Sequence, residues 1–291
     1  MMDQATNLRV IKASQIVKPT ARVITVTSGK GGVGKSNTAI NLAIHFKKMG
    51  KRVIILDADF GLANIEIMFG AVPKYNFSDL IYKGMGIRDI ITWGPMDVGF
   101  ISGGSGIAKM NDLGRENLMY IINNLAELDS IADIVIVDTG AGIGNTVLEF
   151  LVASDEIILV TTPEPTSITD SYSLLKSLGS HVRFNRGVTQ VKMLANKVMS
   201  ENDGEILYRK LNSVVERYLN MPMEYLGNVP FDNQLAESVM QQSPVVIKVP
   251  NSRSAMAYER IANKLLGNES ANVKSRGMAA FFSHIMGGNK L

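Results

Sequence analysis

Ser28-Gly29-Lys30-Gly31-Gly32-Val33-Gly34-Lys35-Ser36 is the stretch from which the rest of the chain can be read. It follows an apolar run, Val23–Thr27, suited to a buried strand, and opens a helix-like segment, Ser36–Met49. Gly29 to Ser36 satisfies G-x-x-x-x-G-K-[ST] in the strand–loop–helix context that the pattern requires. Gly29, Gly31, Gly32 and Gly34, with Val33 among them, let backbone N–H groups turn inward on phosphate oxygens. The helix that starts at Ser36 and Asn37 adds its dipole. In such a loop Lys35 reaches the β- and γ-phosphates, and the Ser36 hydroxyl ligates Mg²⁺.

Outward from the loop, the same alternation continues. Apolar runs at Val53–Leu56, Val98–Ile101, Ile134–Val137, Ile157–Val160, Val191–Ala195 and Tyr225–Val229 predict further strands. Leu113–Leu128, Thr166–Leu178, Ile206–Leu219 and Ala255–Leu266 predict helices between or after them. Near-continuous Val/Ile/Leu strands separated by helices predict an α/β fold, a mainly parallel central sheet with helices on both faces. Ligands of such sheets bind at the carboxyl ends of the strands. Residues 1–20 precede this pattern, 21–267 carry it, and 268–291 form a polar stretch and a last apolar segment.

Two further strand ends carry acids. After the second strand comes Asp57-Ala58-Asp59, whose carboxylates point to one side if the backbone stays extended. One could serve the Mg²⁺ shell and the other the attacking water. Ile134–Val137 runs into Asp138, which would emerge beside the metal, and Gly140 and Gly142 suit a loop that changes conformation with the γ-phosphate.

Composition removes other chemistries. Of 291 residues, 46% are hydrophobic and 20% charged, a globular balance. The absence of Cys excludes disulfides, thiol nucleophiles and Cys-ligated metal, and three widely spaced His make a His-based metal site unexpected. Thirty Lys+Arg against 27 Asp+Glu leave +3, which neither requires nor excludes nucleic acid; with no basic run beside it, specific nucleic-acid binding is not expected. No signal-peptide core and no run of 18 apolar residues stand in the sequence, which predicts a cytoplasmic protein.

Lys30, with Lys35, makes K-G-G-x-G-K-S, which resembles the deviant Walker A of the MinD/ParA P-loop ATPases. The resemblance covers about Arg22 to Leu266. It implies ATP and Mg²⁺ as cofactors, a nucleotide-sandwiched homodimer, and a Lys30 that reaches the partner's phosphates. It implies Asp138 as the Walker B acid and metal ligand, and Asp59 as the switch residue that serves the metal site and positions water. It also assigns Asn196, and Pro230 with Asp232, to the adenine pocket.

Both ends extend the likeness. Asp3-Gln4-Ala5-Thr6-Asn7-Leu8-Arg9 matches D-Q-A-x-x-L-R and resembles the activator element of the FlhG (FleN) family, which sets flagellar number and placement. There Asp3, Gln4, Leu8 and Arg9 would contact the GTPase FlhF and stimulate it. Flagellar switch-ring proteins or a flagellar transcription factor are further partners of that kind. Glu66 replaces the acid Asp of D-x-G-L-A-N-x-D, a conservative departure. In the tail, Met278, Phe281, Phe282, Ile285 and Met286 fall on one helical face, flanked by Lys274, Arg276 and Lys290. Such a helix can lie in an anionic membrane surface or in a groove of its own domain. The FlhG resemblance implies the membrane, on the inner face of the cell. A septum-site MinD, a partitioning ParA and a nucleotide-gated scaffold of negligible turnover stay open as alternatives.

Overall fold

The computed structural model describes residues 20–59, 64–103, 115–267 and 276–285. Eight strands form one sheet: β1 (Arg22–Ser28), β2 (Val53–Ala58), β3 (Thr92–Trp93), β4 (Gly99–Ile101), β5 (Ile134–Ala141), β6 (Glu156–Thr161), β7 (Gln190–Val198) and β8 (Met223–Pro230). Their order is β3-β4-β2-β5-β1-β6-β7-β8. Every neighbouring pair is parallel except β3 with β4. All seven expected strands are present. The two-residue edge strand β3 was not legible, because Thr92 and Trp93, which pair with Phe100 and Gly99, form no apolar run of their own.

Alternation along the strands sorts side chains to the two faces. Ile24, Val26, Ile55 and Ile136 pack with Leu42 and Phe46 of helix Lys35–Lys48 and Tyr258 of helix Arg253–Gly267. Their neighbours Val23, Ile54, Leu56, Val135 and Val137 face the other way, onto helices Arg115–Ala126 and Asn145–Ala153. Covered on both faces, the sheet leaves its strand ends as the place for chemistry.

Of the two places left open for the tail helix, a membrane surface or a groove of its own domain, the structure shows the groove. Helix Gly277–Ile285 buries Met278, Phe281, Phe282 and Ile285 in the second core cluster. Phe282 stacks on Phe77 with centroids 6.3 Å apart, and Phe281 lies 6.0 Å from Phe150. A latch fixes its start: Arg276 pairs with Asp155 at 2.5 Å, and the Met278 N–H donates to Asp129 Oδ1 at 2.9 Å. At its end the Arg183 guanidinium donates to the His284 carbonyl. The physical reason is that an aromatic face has no intrinsic preference for lipid over a groove of matching shape. Met286, Lys274 and Lys290 lie outside the described residues, as do Asp3, Gln4, Leu8 and Arg9.

Candidate functional site

The carboxyl ends of β1, β2, β5, β6, β7 and β8 bring the candidate residues together. Leaving β1, the chain turns through Gly32 and Gly34, both at positive φ (74° and 100°), and enters helix Lys35–Lys48. These are conformations that a side chain would strain. Neighbours also crowd the loop. A Cβ on Gly29 would lie 2.2 Å from the Asp170 backbone of helix Pro165–Gly179, and one on Gly34 would lie 2.4 Å from Asn196 Nδ2.

Lys30 is held within its own protomer. Its ammonium donates to Glu164 Oε2 at 2.5 Å and Thr166 Oγ1 at 2.8 Å, and this pairing holds the Glu164 carboxyl below its ordinary range. Glu164 was not anticipated. The signal was there: Pro163-Glu164-Pro165 follows β6, an inner strand end to which no motif was assigned.

Lys35, Ser36 and Asp138 are buried together. Neither Asp138 oxygen has a donor in hydrogen-bonding geometry. Burial pushes its pKa up to about 6, with Ser36 and Lys35 near enough to ease ionisation and Asp59 opposing it. A buried, unsatisfied carboxylate beside a hydroxyl suits a hard divalent cation. Among the described residues no group of three or more His or acidic side chains could hold an ion. The fit is therefore to Mg²⁺ arriving with phosphate oxygens.

Parallel register sets Asp57 of β2 directly beside Asp138 of β5. Burial, then the charge of Asp138, pushes the Asp57 pKa up to about 8, although it accepts from the Asp59 N–H (3.1 Å) and the Ile65 N–H (3.5 Å). Asp59 receives the Asn64 amide at 3.4 Å and lies beside Gly140. Two acids with raised pKa cost the nucleotide-free protein stability as pH rises. Their penalty is absent below the unfolded value near 3.8 and complete above about 8. Asp57→Asn is expected to raise the nucleotide-free Tm at pH 8 and to change it little at pH 4.5. A gain at both pH values would show that charge is not the cause.

Asn196, expected at adenine, is engaged elsewhere. Its amide donates to the Val33 carbonyl at 2.7 Å, and its Oδ1 accepts the Lys197 N–H at 2.9 Å. Asp232 caps helix Asn233–Met240 through the Gln234 N–H (3.0 Å) and also accepts from the Ser254 N–H (3.0 Å) and hydroxyl (2.7 Å). Burial alone would raise its pKa, but these donors and Arg253 bring it below the ordinary value. Pro230 closes β8 and lines a cavity of about 180 Å³ with Asn228, Arg253 and Met256. The structure thus gathers Lys30, Lys35, Ser36, Asp57, Asp59, Asp138 and Asn196 at the loop, while Asp232 is tied to helix ends.

Residues 24–245 match the CobQ/CobB/MinD/ParA nucleotide binding domain. The chain is 37% identical over 244 residues to antiactivator FleN of Pseudomonas aeruginosa, covering 84% of this chain and 86% of that one. It is 31% identical over 290 residues to the flagellum site-determining protein YlxH of Helicobacter pylori, covering 98% and 96%. Among solved structures, the septum site-determining protein MinD of Pyrococcus horikoshii, complexed with Mg-ADP, superposes with a TM-score of 0.67 at 23% identity. That likeness covers 88% of this chain and 99% of the other.

Proposed function

The chain belongs to the CobQ/CobB/MinD/ParA nucleotide-binding family, and from that membership we propose that it is an ATP-hydrolysing switch that regulates flagellar number and placement. The observation that carries the ATPase part is the buried Asp138 carboxylate, without a donor, beside Lys35 and Ser36 at the phosphate loop. The flagellar part is supported by the likeness to FleN and to YlxH, which spans nearly the whole of both chains in the second case.

The residues divide the work. Gly29 to Ser36 and Asn37 cradle the phosphates, and Lys35 neutralises their charge. Ser36, Asp138 and Asp59 are the groups that would hold Mg²⁺, which when bound spreads the charge of the β- and γ-phosphates. Asp59, beside Gly140 near the end of β5, orients the attacking water. Lys30 exchanges Glu164 and Thr166 for the phosphates of a second copy, so turnover follows dimerisation. Beside its bond to the Val33 carbonyl, Asn196 keeps its second amide N–H and the second lone pair of Oδ1 for adenine. Pro230 and Asp232 shape the adjoining wall.

The tail is the output. No helix among the described residues is long and apolar enough to cross a membrane. Helix Asn145–Ala153 begins just beyond the loop that follows β5 and carries Gly142, and its Phe150 touches Phe281. A shift of that loop in the ATP dimer loosens the groove and frees Met278, Phe281, Phe282, Ile285 and Met286 for the inner face of the cell membrane. Two tails on one dimer bind with avidity. At the other end, Asp3, Gln4, Leu8 and Arg9 engage FlhF.

One experiment joins these parts. Wild-type protein should dimerise in ATP but not ADP by light scattering, hydrolyse ATP, and stimulate FlhF GTP hydrolysis. Deleting Met1–Leu8 should remove the stimulation and leave ATP turnover unchanged. Stimulation that survives the deletion sinks the partner assignment, and an absence of ATP turnover sinks the switch.

A further inference from the structure

Two consecutive carbonyls on the outside of the phosphate loop are taken by two consecutive residues at the end of β7. The Lys197 ammonium donates to the Gly32 carbonyl at 2.8 Å, and the Asn196 amide donates to the Val33 carbonyl at 2.7 Å. Adjacent residues of an extended strand point to opposite faces, so they cannot ordinarily reach the same loop. Here the pairing of β7 with β8 slips between Asn196 and Val198, and Lys197 sits at φ 57°. That left-handed backbone is unusual for a residue with a side chain, and it swings Lys197 to the side of Asn196.

We propose that Asn196 and Lys197 form a clamp that presets the phosphate loop, with Lys197 as a positioning residue for nucleotide binding. The geometry of the peptide group supplies the reason. In a trans peptide the C=O and the following N–H point in opposite directions, and the described chain has no cis bonds. Holding the Gly32 and Val33 carbonyls toward β7 therefore turns the Val33 and Gly34 N–H groups away from it, into the loop. Those donors are then aimed before phosphate arrives, so binding loses less conformational freedom. The clamp also leaves no room for a Cβ at Gly34, where Asn196 Nδ2 would lie 2.4 Å away. Lys197 acts on the loop from outside. Its charge also reaches Glu164, the acid that holds Lys30.

The inference rests on the reading of this loop as the nucleotide site, so Lys35→Ala serves as the separate control. In Lys197→Met, the Kd for fluorescent ADP and the KM for ATP should rise about tenfold, as for loss of one charge-assisted hydrogen bond near the surface. The kcat should stay within about twofold of wild type, because Lys197 touches no reacting atom. Lys197→Arg, which can still donate to the Gly32 carbonyl, should restore both constants. Lys197→Gly relieves the left-handed backbone but lacks the ammonium, and should behave like Lys197→Met. Wild-type ADP affinity in Lys197→Met overturns the clamp, and so does wild-type affinity in Lys197→Gly alone, which would assign the role to the backbone. Normal ADP binding by Lys35→Ala would overturn the nucleotide site itself, whatever the Lys197 variants show.

Discussion

Lys35→Ala should abolish measurable ATP and ADP binding, whereas Lys30→Ala should bind ADP normally and fail to dimerise in ATP. The two lysines are five positions apart in sequence, but their surroundings differ. Lys35 is buried beside Ser36 and Asp138, so its removal leaves phosphate oxygens without their nearest cation. Charge-assisted hydrogen bonds are worth about 1.5–3 kcal/mol each, and losing two to phosphate lowers affinity on the order of 10²- to 10⁴-fold. Lys30 points outward and already satisfies itself on Glu164 and Thr166. Its truncation therefore costs the monomer little, since exposed ion pairs contribute about 0–1 kcal/mol. Calorimetry with ADP and light scattering with ATP separate the two effects. ATP-dependent dimers of Lys30→Ala would return that lysine to a loop role within one protomer.

Phe282→Ala should lower the Tm by about 10 °C, a large effect for a residue so near the end of the sequence. The ring is fully buried and stacked on Phe77, and emptying such a site costs about 3–5 kcal/mol. At about 2–4 °C per kcal/mol for a domain of this size, the loss is easily measured. Arg276→Ala tests the release of the same helix without touching its apolar face. It removes the pairing with Asp155 and the hydrogen bond to the Ala153 carbonyl, so the docked state weakens while the apolar residues of the helix remain. Vesicles of anionic lipid should then sediment Arg276→Ala in ADP, where wild type stays in the supernatant. An unchanged Tm in Phe282→Ala would mean that the tail is not part of the core in solution. Equal sedimentation of Arg276→Ala and wild type in ADP would mean that the Arg276 latch does not restrain the tail.

Much of this was legible in the amino-acid sequence. The seven main strands, the turn from Val23–Thr27 into Gly29–Ser36, and the acids at the ends of β2 and β5 all follow from local pattern. Continuous Val/Ile/Leu runs specify strands buried on both faces, and glycines mark where the backbone must enter a left-handed turn. These signals lie within a few residues of one another, so reading them requires no knowledge of what packs against them. The tertiary structure decided the rest. Register across two strands set Asp57 against Asp138, whose charge adds to burial in raising the Asp57 pKa, although the residues are far apart in sequence. A slip in the β7–β8 pairing turned Asn196 and Lys197 onto a loop more than 160 positions away. The apolar face of Gly277–Ile285 was plain from its spacing, but its partner was not. Hydrophobic periodicity states that a face must be covered and carries no information on what covers it, because the attraction is non-directional. Only the assembled groove of Phe77, Phe150 and their neighbours, with Asp129, Asp155 and Arg183 at its rim, supplied the shape and the hydrogen bonds that chose it.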